Sequence, residues 1–188
     1  MSRRTAIAIA IAVLVVCAPG GSAAAATSRS AVGACADAGL VALDDATRQR
    51  AVEAVRCIVN AARATRGLRA LRASAQLRSA AEGHSQDMVV GKFVSHTSAN
   101  GESIRNRIRR AGYLRRNRLL VTGETLTWGS GILASPAQLV VSLMASPQHR
   151  RTILDRRFRD IGVGIVLGAP MADTVSTAAT VTVNFGRR

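Results

Sequence analysis

Aromatic side chains are nearly missing from this chain of 188 residues, which holds one Trp, one Tyr and three Phe. The shortage argues against a nucleic-acid surface, because such surfaces rely on aromatic rings to stack bases. Acidic residues are also few, 11 against 26 basic ones, so the formal net charge is +15. All but one of the basic residues are arginine, they are scattered, and alanine is abundant throughout. That composition fits a GC-rich coding bias and a solvated basic surface, and no nucleic-acid partner is expected. Anionic envelope polymers and anionic membrane surfaces remain chemically suited to such a charge.

Long apolar runs are lacking where a membrane anchor would need one. The run at residues 7–17 has eleven residues, too short to cross a bilayer comfortably. Arg3 and Arg4 precede it, and a small-residue stretch with Ala24 and Ala26 two apart follows. These flanks read as a Sec-type signal peptide over residues 1–26, with a secreted or envelope-associated product. Val16 is too large for the position before a lipid-modified cysteine, so Cys17 does not make a lipoprotein box. Removing the leader leaves 24 basic and 11 acidic residues, a charge of +13. The remaining 162 residues suffice for one domain with a sizeable core. We read residues 27–43 as an N-terminal extension and 44–188 as the domain, with a monomer expected.

Cysteine is scarce as well. Without Cys17 the chain keeps Cys35 and Cys57, an even pair in an oxidising compartment, which reads as a disulfide. Such a bridge closes a loop of about 22 residues and contributes roughly 3 kcal/mol in the chain-entropy description.

Histidine occurs only three times, and it is the side chain that titrates near neutral pH and most often binds metal. His96 and His149 sit in polar islands at element ends, and Glu124 stands between them beside Gly123. His84 instead falls on an apolar helical stripe and reads as a hydrogen-bonded core residue. Two imidazoles and a carboxylate suit Zn²⁺ or another divalent ion with an open fourth position. The same trio without metal makes a general acid–base pair, with Glu124 orienting one imidazole. It also makes a plain structural tie, with the histidines holding loops to Glu124. The three are 28 and 25 residues apart, so no local spacing forces a metal site.

Along the chain, Asp44 can cap a helix through Val52, Val55, Ile58 and Val59, and Gly67 lies beyond its end. Ser74 can cap a second helix with Leu77, Ala80, Ala81, His84 and Met88 on one face, closed by Gly91. A short basic helix follows from about Ser103 to Ala111. Residues 119–128 read as extended but interrupted by Gly123, and residues 129–131 read as a loop. Pro136 and Pro147 each suit the first turn of a helix. Asp160 to Leu167 reads as a strand whose glycines let another element approach closely. Residues 174–185, rich in Val and Thr, read as one longer strand or two short ones. Helices first and strands last, with no repeated βαβ rhythm, favour α+β.

The order of these pieces resembles the CAP or SCP superfamily, the cysteine-rich secretory and pathogenesis-related proteins, in a compact bacterial form. The matching text comprises Val59-Asn60 with Arg63, Leu77 with Ala80, Ala81, His84, Asp87 and Met88, and Phe93 with Ser95-His96. It continues with Arg107-Ile108, Ala111-Gly112-Tyr113 and Gly123-Glu124. Ser146-Pro147 with His149-Arg150, Ile161-Gly162-Val163-Gly164 and Asn184-Phe185-Gly186 complete it. The resemblance implies an α-β-α sandwich with a small central antiparallel sheet between helical layers. It also implies a surface cleft in which His96, Glu124 and His149 are the ligand-binding, metal-binding or catalytic candidates.

The chain departs from that pattern in three places. Thr125 replaces an Asn after Gly-Glu, Leu143 replaces a Trp, and residues 137–145 contain no acid where a second cleft glutamate would stand. The missing acid favours binding of a small ligand, a lipid, a cell-wall component or a divalent metal over efficient turnover. The alternatives are an extracellular metal-assisted or acid–base hydrolase and a cationic structural protein of the envelope. Ser95 beside His96 and Ser146 before Pro147 are read as local structure and not as nucleophiles.

Overall fold

A capping box starts the first long helix, α1 (Asp45–Ala64): Asp44 accepts from the Thr47 amide at 2.8 Å, and Thr47 accepts from the Asp44 amide at 3.0 Å. The structure is a computed structural model that describes residues 34–114, 121–171 and 177–188. The signal peptide expected over residues 1–26 lies outside the described residues, as do positions 119–120 and 174–176 of the expected strands. The apolar face of α1 buries Ala51, Val52, Val55, Ile58 and Val59. Cys57 on that helix is bonded to Cys35, which pins the preceding segment so that Cys35 and Ala42 join the same core.

Ser74 caps α2 (Ala75–Gly91), and Lys92 closes it in the left-handed region at φ 53°. The short helix α3 (Ile104–Arg110) follows, capped by Ser103. A 3₁₀ turn (Gly131–Ala134) leads into α4 (Pro136–Ala145) and α5 (Pro147–Ile153), each with proline in its first turn. The strands are β1 (Arg72–Ala73), β2 (Val121–Ser130), β3 (Asp160–Leu167) and β4 (Ala178–Arg187), in the sheet order β1-β3-β4-β2.

The three long strands pair antiparallel, but β1 lies parallel to β3 over Arg72–Asp160 and Ala73–Ile161. The chain leaving α1 runs alongside β3 for two residues before Ser74 turns it into α2, and so meets β3 in the same direction. β2 is continuous through Gly123, and Gly129 and Ser130 belong to it. The interruption and loop expected there are absent because Gly123 serves packing and not a break. A Cβ on it would lie 2.7 Å from the Phe158 ring.

Alternation along β4 separates two faces. Ala179, Val181, Val183 and Phe185 enter the main core with α1, α4 and α5. Thr182 and Asn184 point the other way, where Thr182 meets Ser85 of α2 at 2.9 Å. Gly162 and Gly164 of β3 lie directly under the α2 backbone at Leu77, Arg78, Ala81 and Glu82, with no room for a Cβ. The result is an α+β fold with helices on both faces of a four-stranded sheet. Among the described residues the sheet order makes β2 an edge strand, and Glu124 sits on it, on the α2 face.

Candidate functional site

Glu124 faces α2 because its strand partner is Asn184, and paired residues project to the same side of an antiparallel sheet. Its carboxylate is almost wholly buried, with 2% of the side chain exposed. Arg107 on α3, 1% exposed, donates to both oxygens at 3.0 and 2.8 Å. Asn184 supplies a further donor. With its amide nitrogen toward the carboxylate it lies 3.0 Å from Oε2, and its oxygen accepts from the Ala81 amide at 3.2 Å. The opposite orientation would set two acceptors face to face, so the hydrogen-bond network selects this one.

His96 occupies the remaining acceptor direction, with Nδ1 2.9 Å from Glu124 Oε1. Since carboxylate is the acceptor, Nδ1 carries a proton, and the tautomer this selects has its lone pair on Nε2. The His96 side chain is 47% exposed, so the base of the ring is anchored while the ring itself remains accessible. Arg107 fixes the residue a second time by donating to the His96 carbonyl at 3.0 Å.

The loop carrying His96 is tied down from beneath. His84 is fully buried, and its Nε2–H donates to the Ser95 carbonyl at 2.7 Å. Its Nδ1 then accepts from Ser98 Oγ at 3.3 Å, and Arg107 donates to that same hydroxyl at 3.2 Å. Burial pushes the His84 pKa down, opposed in part by the Glu124 carboxylate. This matches the expected core histidine, and it adds a role, because its partner is the residue next to His96. Ser95 Oγ accepts from the Thr97 amide at 3.1 Å, a turn contact.

His149 stands in the first turn of α5, whose cap Ser146 accepts from the His149 amide at 3.5 Å. Its ring makes no hydrogen bond or ion pair among the described residues and is half-buried. Burial lowers its pKa, and the nearby His96 ring lowers it further. Helix α5 is held at its other end by Arg63, fully buried, which donates to the Ile153 and Asp155 carbonyls at 2.7 and 3.0 Å. Thus His96 and Glu124 meet directly, while His149 joins them through proximity of charge. Asp155 and Asp160 stay out of the site, paired with Arg157 and Arg72.

Arg107 is the residue of the candidate site that the sequence reading did not name as a site residue, placing it in a short basic helix and in the family-like text only. A signal existed. On α3 it shares a stripe with Ile104, Ile108 and Ala111, spaced three and four apart, whereas Arg105 and Arg109 fall on the exposed side.

A divalent ion fits this donor set poorly. Glu124 already answers a buried guanidinium through both oxygens, and a cation joining it would face that positive charge at close range. Among the described residues, no three His, Cys, Asp or Glu side chains are arranged to hold a metal. What remains is an oriented imidazole whose Nε2 has no partner among the described residues, and a second imidazole nearby. No hydroxyl or thiol is hydrogen-bonded to the His96 ring among the described residues.

Three solved structures share this fold. An extracellular protein with an SCP domain from Bacillus anthracis str. Ames superposes with a TM-score of 0.62 at 21% identity, covering 78% of this chain and 45% of that one. An outer surface protein from Borrelia burgdorferi gives 0.62 at 17% identity, covering 79% of this chain and 98% of that one. A cysteine-rich secretory protein from Staphylococcus aureus subsp. aureus Mu50 gives 0.55 at 13% identity, covering 75% of this chain and 39% of that one. This chain therefore spans less than half of the Bacillus and Staphylococcus chains. No curated protein matches it in sequence. The model of the CAP family, described as the cysteine-rich secretory protein family, matches residues 58–183, and the chain belongs to that family.

Proposed function

We propose that this protein is an extracellular binding protein of the CAP family, and that its cleft recognises a ligand through His96 and His149 without efficient turnover. The observation that carries the reading is the Arg107–Glu124–His96 relay. A buried carboxylate, held by a buried guanidinium, fixes one imidazole so that its Nε2 presents an acceptor outward. His149 adds a ring whose nitrogens make no hydrogen bond among the described residues. Its positive charge is disfavoured by burial and by the His96 ring, which favours the neutral His149 imidazole as a hydrogen-bonding group. Such a surface suits a ligand with hydroxyl or amide donors, as in a cell-wall fragment. The leader-like first residues support export, as do bacterial fold neighbours described as extracellular or outer-surface proteins.

Slow acid–base hydrolysis is the second reading, because a carboxylate bonded to an imidazole is also how a general base is oriented. The lack of a bonded nucleophile and of any acid in residues 137–145 favours binding. Titration calorimetry with soluble cell-wall glycopeptide fragments separates the two. Binding is expected to weaken about tenfold or more in His96→Ala and His149→Ala, the loss of one buried hydrogen-bond partner each, with the fragments recovered intact. Binding that survives both substitutions contradicts the cleft reading, and cleaved fragments favour the hydrolase.

A further inference from the structure

The loop after α1, the turn between α5 and β3, and the end of β4 meet at a concave pocket of about 430 Å³. Its wall carries Arg69, Arg156, Arg157, Arg159 and Arg187. Among the described residues a single carboxylate answers them: Asp155, bonded to Arg157 at 2.6 Å. Arg159 donates to the carbonyls of Arg156 and Phe158, both at 2.7 Å, which fixes its guanidinium without neutralising it. The side chains of Arg69, Arg156 and Arg187 have no acidic partner among the described residues. Behind them Arg63 is fully buried, with Nε donating to the Arg69 carbonyl at 3.1 Å and one terminal nitrogen unpartnered. Burial and the charge of Arg159 both push the Arg63 pKa down.

Several arginines elsewhere are matched to acids, while others, such as Arg105 and Arg109, have no acidic partner among the described residues but stand exposed and outside the pocket wall. Arg48 pairs with Asp45 and Glu82, Arg50 with Asp37, and Arg56 with Glu53. Converging unpaired guanidiniums around a concavity concentrates positive potential. Each also presents a planar fork that fits two oxygens of an oxyanion. Leu68 is the one large apolar side chain on the wall, and the exposed hydrophobics Val90, Ile132 and Leu133 lie elsewhere. The pocket is therefore built for charge and not for insertion into lipid.

We propose that this pocket is a second binding site, separate from the His96 region, that takes a multiply charged phosphate-bearing anion, either free in solution or as a unit of a soluble polymer. Pyrophosphate is the probe, titrated calorimetrically into the disulfide-bonded protein at low salt. One saturable site is expected. The Arg69→Ala, Arg156→Ala double variant should bind about tenfold or more weakly, since it removes two charge-assisted donors. Arg105→Ala with Arg109→Ala on α3 removes the same charge outside the pocket wall and should change affinity less than about twofold. Thermal midpoints confirm that both variants fold. No saturable binding, or equal losses in the two double variants, overturns the site. A parallel titration with glycerol-phosphate oligomers that binds more tightly than pyrophosphate assigns the polymer source, and weaker binding assigns the free anion. Phosphatidylglycerol vesicles should compete no better than their phosphate content predicts, and a clear preference for them contradicts the soluble source.

Discussion

At the residue scale the site depends on Arg107. A buried ion pair contributes little net stability, but removing one partner strands the other charge in the interior. We therefore expect Arg107→Met to lower stability by about 3–5 kcal/mol in urea unfolding. Adding Glu124→Leu to it should recover much of that loss, because the stranded carboxylate is then gone. A double variant no more stable than the single one would show that the pair is not the cause. The histidines give a pH dependence of defined sign. His84 and His149 both have pKa values lowered by burial, so as pH falls the unfolded chain takes up protons first. Their contribution is complete above the unfolded value near 6.5 and is lost as pH drops below it toward the folded values. Replacing His84 with Gln should flatten the decline in unfolding free energy between about pH 7 and 5, and an unchanged slope would exclude His84 as a source. His96, Glu124 and His149 stood out in the sequence because histidine is scarce and the three fall in a familiar order of motifs. Arg107 did not, since a buried arginine among 25 carries no mark of composition, Arg63 being buried as well, and its burial follows from α3 packing on α2.

At the element scale, α2 organises the site. It seats flat on β3 because Gly162 and Gly164 present no side chains, and its far end delivers His84 and the His96 loop. A methyl at Gly164 would overlap the backbone at Ala81 and Glu82, so the helix must shift. Gly164→Ala should therefore destabilise by about 1–3 kcal/mol, as overpacking does, and should disturb the His96 resonances. A variant as stable as the parent would mean that α2 has slack against the sheet. Capping residues made two helix starts readable, and Asp44 and Ser74 both cap as their positions suggest. Gly123 misled the reading of β2, because a glycine that breaks a strand and one that admits Phe158 look alike in sequence. β1 was invisible for a related reason. Two residues carry no periodicity, and their pairing is set by where β3 passes.

At the scale of the whole molecule, the fold keeps its ionisable groups in distinct settings. Glu124 and Arg107 are sealed between α2, α3 and the sheet edge, whereas the arginines around the loop after α1 face a solvent-filled concavity. The family order of motifs carried the three-layer arrangement from sequence to structure. What it could not convey was the partner of each charge, which depends on contacts between residues far apart in the chain. The central claim is that Glu124 and Arg107 hold His96 in one orientation with Nε2 free. Long-range ¹H–¹⁵N spectroscopy of the imidazoles tests it directly, recorded near pH 8, where an unperturbed imidazole is neutral. His96 should be the Nδ1–H tautomer, and Glu124→Gln should let the ring relax to a mixture. A wild-type His96 that is already mixed, or protonated on Nε2, would contradict the account.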